Sequence, residues 1–138
     1  MVTTALRYLL DTSIVSDLVR HPQGVIAKRI ARVGEDKVCT SFIVACELRY
    51  GAAKKASDRL TAQLEAVLRV LQVLPMDGDA DRHYGDIRAV LERAGTPIGA
   101  NDLLIASQAR ALGLTLVTNN VSEFERVSGL GVKNWLRA

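Results

Sequence analysis

Three carboxylates stand where apolar runs of this chain give way to polar residues. Asp11 ends the run Leu6–Leu10, Glu47 lies inside Ile43-Val44-Ala45-Cys46-Glu47-Leu48, and Asp102 precedes the apolar stretch Leu103–Ala111. A fourth polar cluster, Thr118-Asn119-Asn120, follows the aliphatic run Leu114–Val117. Carboxylate and amide oxygens grouped in this way suit hard divalent cations, which take oxygen ligands and keep several of their waters. Each acid also has a plainer use. Asp11, with Thr12 and Ser13, is of the type that caps a helix. An Asp at position 102 is favoured by the dipole of the helix it opens, and Asn101 beside it is an alternative cap. Glu47 is the most informative of the three, because a carboxylate among apolar side chains is costly to ionise without a cation, a metal or several donors. Its alternative is a partly exposed residue at a helix edge, paired with Arg49 or Lys54.

Other chemistries lack their signatures. There is no glycine-rich phosphate loop and no Gly-x-Ser-x-Gly elbow. The two histidines, His21 and His83, are remote in sequence from each other and from Cys39 and Cys46, so no zinc-ligand spacing arises. Both cysteines sit in apolar surroundings and read as small buried thiols. Lys and Arg number 18 against 15 Asp and Glu, a net charge of +3. Lys28, Arg29 and Arg32 form one basic group and Arg49, Lys54, Lys55 and Arg59 another. Such groups fit a polyanionic partner and equally fit two solvated helix faces.

The elements that must carry these residues alternate between short apolar runs and amphipathic helices. Leu6–Leu10 reads as a first strand, followed by helices around Ile14–Val19 and Val25–Ala31, the second stopped by Gly34. Val38–Thr40 reads as a second strand, after which Ser41 caps a helix from Phe42 to about Ala56. Asp58 is the expected cap of the next helix, where Leu60, Leu64, Val67, Leu68 and Leu71 share one face. Val73-Leu74 reads as a short strand ended by Pro75, and Ala80, Tyr84, Ile87 and Leu91 mark a further helix with Gly95 past its end. Asn101 or Asp102 opens a helix that closes at Gly113, Leu114–Val117 is a strand, and Asn119-Asn120 turns the chain toward a final stretch at Val132–Leu136. Alternating strands and helices predict one α/β domain spanning residues 1–138, its parallel sheet covered on both faces. Functional groups in such a sheet gather beyond the carboxyl ends of the strands, which places Asp11 and Thr118-Asn119-Asn120 on one rim.

With 49% hydrophobic and 24% charged residues the composition is globular, and only 4% of it is aromatic, so the core must be aliphatic. The opening apolar run is too short for an export signal, and no apolar stretch reaches the ~18 residues of a membrane span. A cytoplasmic protein without membrane association is expected.

Four segments together resemble the PIN-domain family. Leu9-Leu10-Asp11-Thr12-Ser13 is similar to its opening motif, Ala45-Cys46-Glu47-Leu48-Arg49-Tyr50-Gly51 to the helix bearing its second acid, and Pro97-Ile98-Gly99-Ala100-Asn101-Asp102-Leu103-Leu104-Ile105-Ala106 to its third motif. Leu116-Val117-Thr118-Asn119-Asn120, with Glu123-Phe124 and Trp135, resembles the fourth motif and the ending. The four come in order over nearly the whole chain, and the likeness is to the VapC branch of toxin–antitoxin ribonucleases. The resemblance implies a three-layer α/β/α sandwich with a mostly parallel sheet, a Mg²⁺ or Mn²⁺ site, and cleavage of structured RNA, in particular tRNA. Carried across residue by residue, it makes Asp11 and Asp102 the metal ligands and Glu47 the completing acid. Asn120 takes the fourth catalytic position, with Thr118 and Glu123 in support. Many PIN domains have Asp where Asn120 stands; the change leaves a carbonyl ligand without charge and leaves open whether one metal or two are held. Arg49, Lys54 and Lys55 are the expected phosphate contacts. The branch further implies a homodimer and a VapB-like antitoxin that covers the active-site groove and alone touches operator DNA. The competing readings are a PIN nuclease of RNA maturation or structured DNA, a catalytically inactive PIN domain acting as a binding module, and an α/β domain with a small ligand at the same rim.

Overall fold

The computed structural model describes residues 5–137. Five strands, β1 (Tyr8–Leu10), β2 (Val38–Ser41), β3 (Gln72–Leu74), β4 (Thr115–Val117) and β5 (Val132–Lys133), form one sheet in the order β3-β2-β1-β4-β5. Every pairing is parallel, with Leu10 opposite both Thr40 and Val117. Parallel neighbours require crossovers, and helices supply them. Between β1 and β2 run α1 (Thr12–Arg20) and α2 (Val25–Val33), and between β2 and β3 run α3 (Phe42–Lys55) and α4 (Asp58–Val70). The next crossover holds α5 (Ala80–Arg93) and α6 (Ala100–Ala111), and the short α7 (Val121–Phe124) precedes β5. Leu9, Leu10, Cys39, Leu116 and Val117 are fully buried, so the central strands are covered on both faces, as their unbroken apolar runs predict. The chain leaves β1 toward β2 on one side and returns to β4 on the other. That reversal opens a crevice at the carboxyl ends of β1 and β4, where α/β sheets place their sites.

Element boundaries follow local chemistry, with three corrections. The cap of α4 is Ser57, whose hydroxyl accepts from the Leu60 amide at 3.1 Å; Asp58 is the first helical residue instead, where its charge meets the helix dipole. The cap of α6 is Gly99, so neither Asn101 nor Asp102 serves as a side-chain cap. Cys39 is buried but Cys46 is exposed, because Phe42, Cys46 and Tyr50 lie one turn apart on the outward face of α3. Gly34 ends α2 at φ 108°, a backbone region that side chains rarely adopt.

Arg110 fastens the far side of the molecule. From α6 its guanidinium donates to His83 Nδ1 (2.8 Å) and Asp86 (2.7 Å) on α5 and to the Ser128 carbonyl (3.0 Å). Among the described residues no helix is long and apolar enough to cross a membrane.

Candidate active site

Asp11 ends β1 at the crevice and is 5% exposed. One carboxylate oxygen accepts from the Ser13 hydroxyl at 2.7 Å and from the Ile14 amide at 3.1 Å; the other accepts from the Thr118 hydroxyl. Its helix-capping role and its place in the site are therefore one geometry. Burial raises the Asp11 pKa, and the bonds from Thr118, Ser13 and Ile14 pull it back. Ser13 also accepts from the Asn119 amide at 3.1 Å, and Thr118 from the Asn120 amide at 2.9 Å, which binds the β4 end to the β1 end.

Glu47 reaches the crevice from α3, half-buried. Its carboxylate accepts from the Thr12 hydroxyl and from the Asn101 side-chain amide at 3.1 Å. Neither Arg49 nor Lys54 pairs with it. Arg49 is turned to Glu65 on α4, and Lys54 lies 5.9 Å above the Tyr50 ring.

Asp102 faces the same space from the first turn of α6. Its carboxyl is pushed up to about 6, first by burial, then by the charges of Glu123, Glu47 and Asp11, and by a hydrogen bond with Glu123. Glu123, on α7, also accepts from the Asn120 side-chain amide at 3.2 Å. Four carboxylates thus share one field, and among the described residues none of them has a Lys or Arg within ion-pairing distance. That uncompensated charge is what a bound cation would offset. Among the described residues no group of three or more His, Cys, Asp or Glu side chains is arranged so as to hold a metal ion by itself. An all-oxygen set of this open kind fits a small hard cation, which is held through one or two carboxylates and retains waters.

The structure brings together Asp11, Glu47, Asp102, Asn120, Thr118 and Glu123, and leaves Arg49 and Lys54 on the outer side of α3. Sequence reasoning missed the roles of Thr12 and Asn101 as the donors that hold Glu47. Their proximity to Asp11 and Asp102 in the sequence was the available signal, and it points equally to capping.

The chain has recognisable relatives. Residues 8–130 match the model of the PIN domain. The chain is 39% identical over 131 residues to the tRNA(fMet)-specific endonuclease VapC of Shigella flexneri, covering 94% of this chain and 98% of that protein. It is 41% identical over 133 residues to ribonuclease VapC2 of Haemophilus influenzae, covering 95% and 99%. The crystal structure of DNA-bound VapBC from Salmonella typhimurium contains a chain of the same fold, with a TM-score of 0.88, 39% identity, and coverage of 94% of this chain and 98% of that one.

Proposed function

The chain belongs to the PIN-domain family, and from that premise we propose that it is a VapC-type endoribonuclease, the toxic half of a toxin–antitoxin pair. It cleaves structured RNA, with tRNA as the substrate class, as a single domain in the cytoplasm. The observation that carries this reading is the set of four carboxylates, Asp102 with Asp11, Glu47 and Glu123, none of which has a described Lys or Arg within ion-pairing distance. A binding module has no use for such a charge, which destabilises the fold that holds it.

Asp11 and Asp102 are the residues that hold the divalent ion, with Mg²⁺ the first choice and Mn²⁺ a substitute. When bound, the ion supplies a water of lowered pKa and offsets the charge of the phosphate. The residues of the chain do the positioning. Thr118 and Ser13 aim the two oxygens of Asp11, so its carboxylate meets a ligand without reorganising. Glu47, held by two donors, is set as a fixed acceptor that orients the attacking water. Asn120 steers Glu123 and supplies an uncharged oxygen at the fourth position. No serine, cysteine or histidine nucleophile takes part.

A homodimer and a VapB-like antitoxin, which brings the pair to operator DNA, complete the reading. Its support is that the structural relative from Salmonella typhimurium is a DNA-bound VapBC assembly.

The test is incubation of purified, antitoxin-free protein with total tRNA in Mg²⁺ or Mn²⁺, beside EDTA and an Asp11→Ala control. Discrete fragments that vanish with EDTA and with the substitution are expected. Intact RNA in every lane, from protein shown to be folded, would overturn the nuclease in favour of the binding module.

A further inference from the structure

Beside the acidic crevice, a hollow of about 170 Å³ runs between α1, α3 and α4. Glu47 closes one end, Val19, Leu48, Leu60 and Leu64 give it an apolar floor, and Arg20 and Lys55 stand on its walls. Both cations are exposed, and among the described residues neither has an acidic side chain within ion-pairing distance. Arg20 makes one bond, through Nε to the Ser16 carbonyl of its own helix at 3.3 Å. Arg49, on the same helix as Lys55, has its charge offset by Glu65. At Gly51, which lines the hollow, an added Cβ would meet nothing within 4 Å, so a larger side chain can be introduced there without a clash.

We propose that this hollow is a nucleotide subsite: it takes the base of the residue next to the cleaved bond on its apolar floor, and Arg20 and Lys55 bind that nucleotide's phosphate. The assignment rests on the ribonuclease reading and goes beyond it by naming where the strand lies. An acidic cluster repels an RNA backbone unless cationic groups flank it, and Arg20 and Lys55 line the hollow that Glu47 also lines, with no ion pair among the described residues. The basic wall follows a nucleic-acid backbone as grooves for single strands do, and the floor, aliphatic and not aromatic, gives apolar contact to a base without stacking. The hollow therefore sets affinity and the path of the strand, while the choice of bond lies elsewhere.

The test uses the full chain with Asp11→Ala, so that RNA is bound and not cut, and a fluorescein-labelled oligoribonucleotide titrated over a series of salt concentrations. Arg20→Gln with Lys55→Gln is expected to weaken binding by roughly ten-fold, and to lower the slope of log affinity against log salt by roughly 0.7 for each phosphate that is no longer neutralised. Lys28→Gln with Arg32→Gln, an equal change of net charge on α2 outside the hollow, should leave that slope near the parent value. Gly51→Leu, which fills the space without touching charge, should weaken binding with the slope unchanged. In the cleaving background the same Arg20 and Lys55 changes should raise KM with kcat little altered. If the Arg20/Lys55 protein binds with the parent affinity and slope, or no differently from the Lys28/Arg32 protein, the subsite is refuted while the nuclease stands. If the parent with Asp11 intact does not cut RNA at all, it is the nuclease reading that has failed.

Discussion

The hydroxyl of Thr118 donates to the carboxylate of Asp11, joining the ends of β4 and β1 across 107 positions of sequence. The same oxygen of Thr118 accepts from the Asn120 amide at 2.9 Å, so one fully buried side chain fixes the first acid and the start of α7 together. Thr118→Val keeps the shape and removes both bonds. We expect it to lose about 1–3 kcal/mol of stability, the cost of leaving a buried acceptor underpaired. Turnover should fall by about ten-fold, and by far less than in Asp11→Ala. Urea unfolding and tRNA cleavage measure the two effects, and a Thr118→Val protein as stable and as active as the parent contradicts the account.

Asp102 makes the metal-free protein sensitive to pH. Its carboxyl titrates at about 6 in the fold against an ordinary 3.8, chiefly through burial. Between those values the folded state holds a proton that the unfolded chain has released. This group's contribution to stability therefore falls as pH rises through that window. Thermal melts without divalent ions should show Asp102→Asn flattening this dependence and raising the Tm at neutral pH, while cleavage is lost.

The same proton competes with a cation for the site. Divalent-ion affinity is expected to climb with pH up to about 6 and to level off above it. Calorimetry in buffers of different ionisation enthalpy should detect proton release on binding near pH ~5.5 and little near pH ~8. Release that does not change with pH would count against Asp102 as a ligand.

Thr12 and Asn101 act as positioning residues for Glu47. Asn101→Ala leaves the Thr12 bond and should lower kcat by a few-fold, whereas Thr12→Val with Asn101→Ala approaches the loss seen in Glu47→Gln, on the order of 10². KM for RNA should stay close to the parent in all three, since neither donor faces the strand. A change in KM alone would recast both as substrate contacts.

Arg110 is a structural clamp, and its removal should separate stability from chemistry. Arg110→Met breaks the links to His83, Asp86 and the Ser128 carbonyl. A loss of about 1–3 kcal/mol is expected, with cleavage by the folded fraction retained. Unchanged urea midpoints would show that these three bonds contribute nothing net.

The sheet and its rim were legible because Leu9-Leu10 and Leu116-Val117 are unbroken apolar runs that stop at polar residues, and a buried parallel strand has no other way to end. Those boundaries put Asp11 and Thr118-Asn119-Asn120 on the rim, whereas Asp102 came to the site through the family resemblance. What lay hidden was pairing that depends on the third dimension. Asn101 reads as a cap in one dimension, yet Gly99 caps α6 and frees the amide to hold Glu47. Arg49 follows Glu47 closely in sequence, but helix geometry turns it to Glu65 on α4. Cys46 follows the apolar run Phe42-Ile43-Val44-Ala45, and α3 carries apolar residues around most of its circumference, so periodicity did not reveal which face was outward. Glu123 joins Asp102 only because α7, too short to leave a periodic signal, carries it back over the crevice.

Parallel pairing of β1 with β4 also decides when the crevice can form. During synthesis Asp11 and Glu47 emerge well before the strand that completes the crevice, with Thr118 and Glu123 following it. The crevice therefore cannot close until β4 has been made, after Asp11, Glu47 and Asp102 are all in place in the chain.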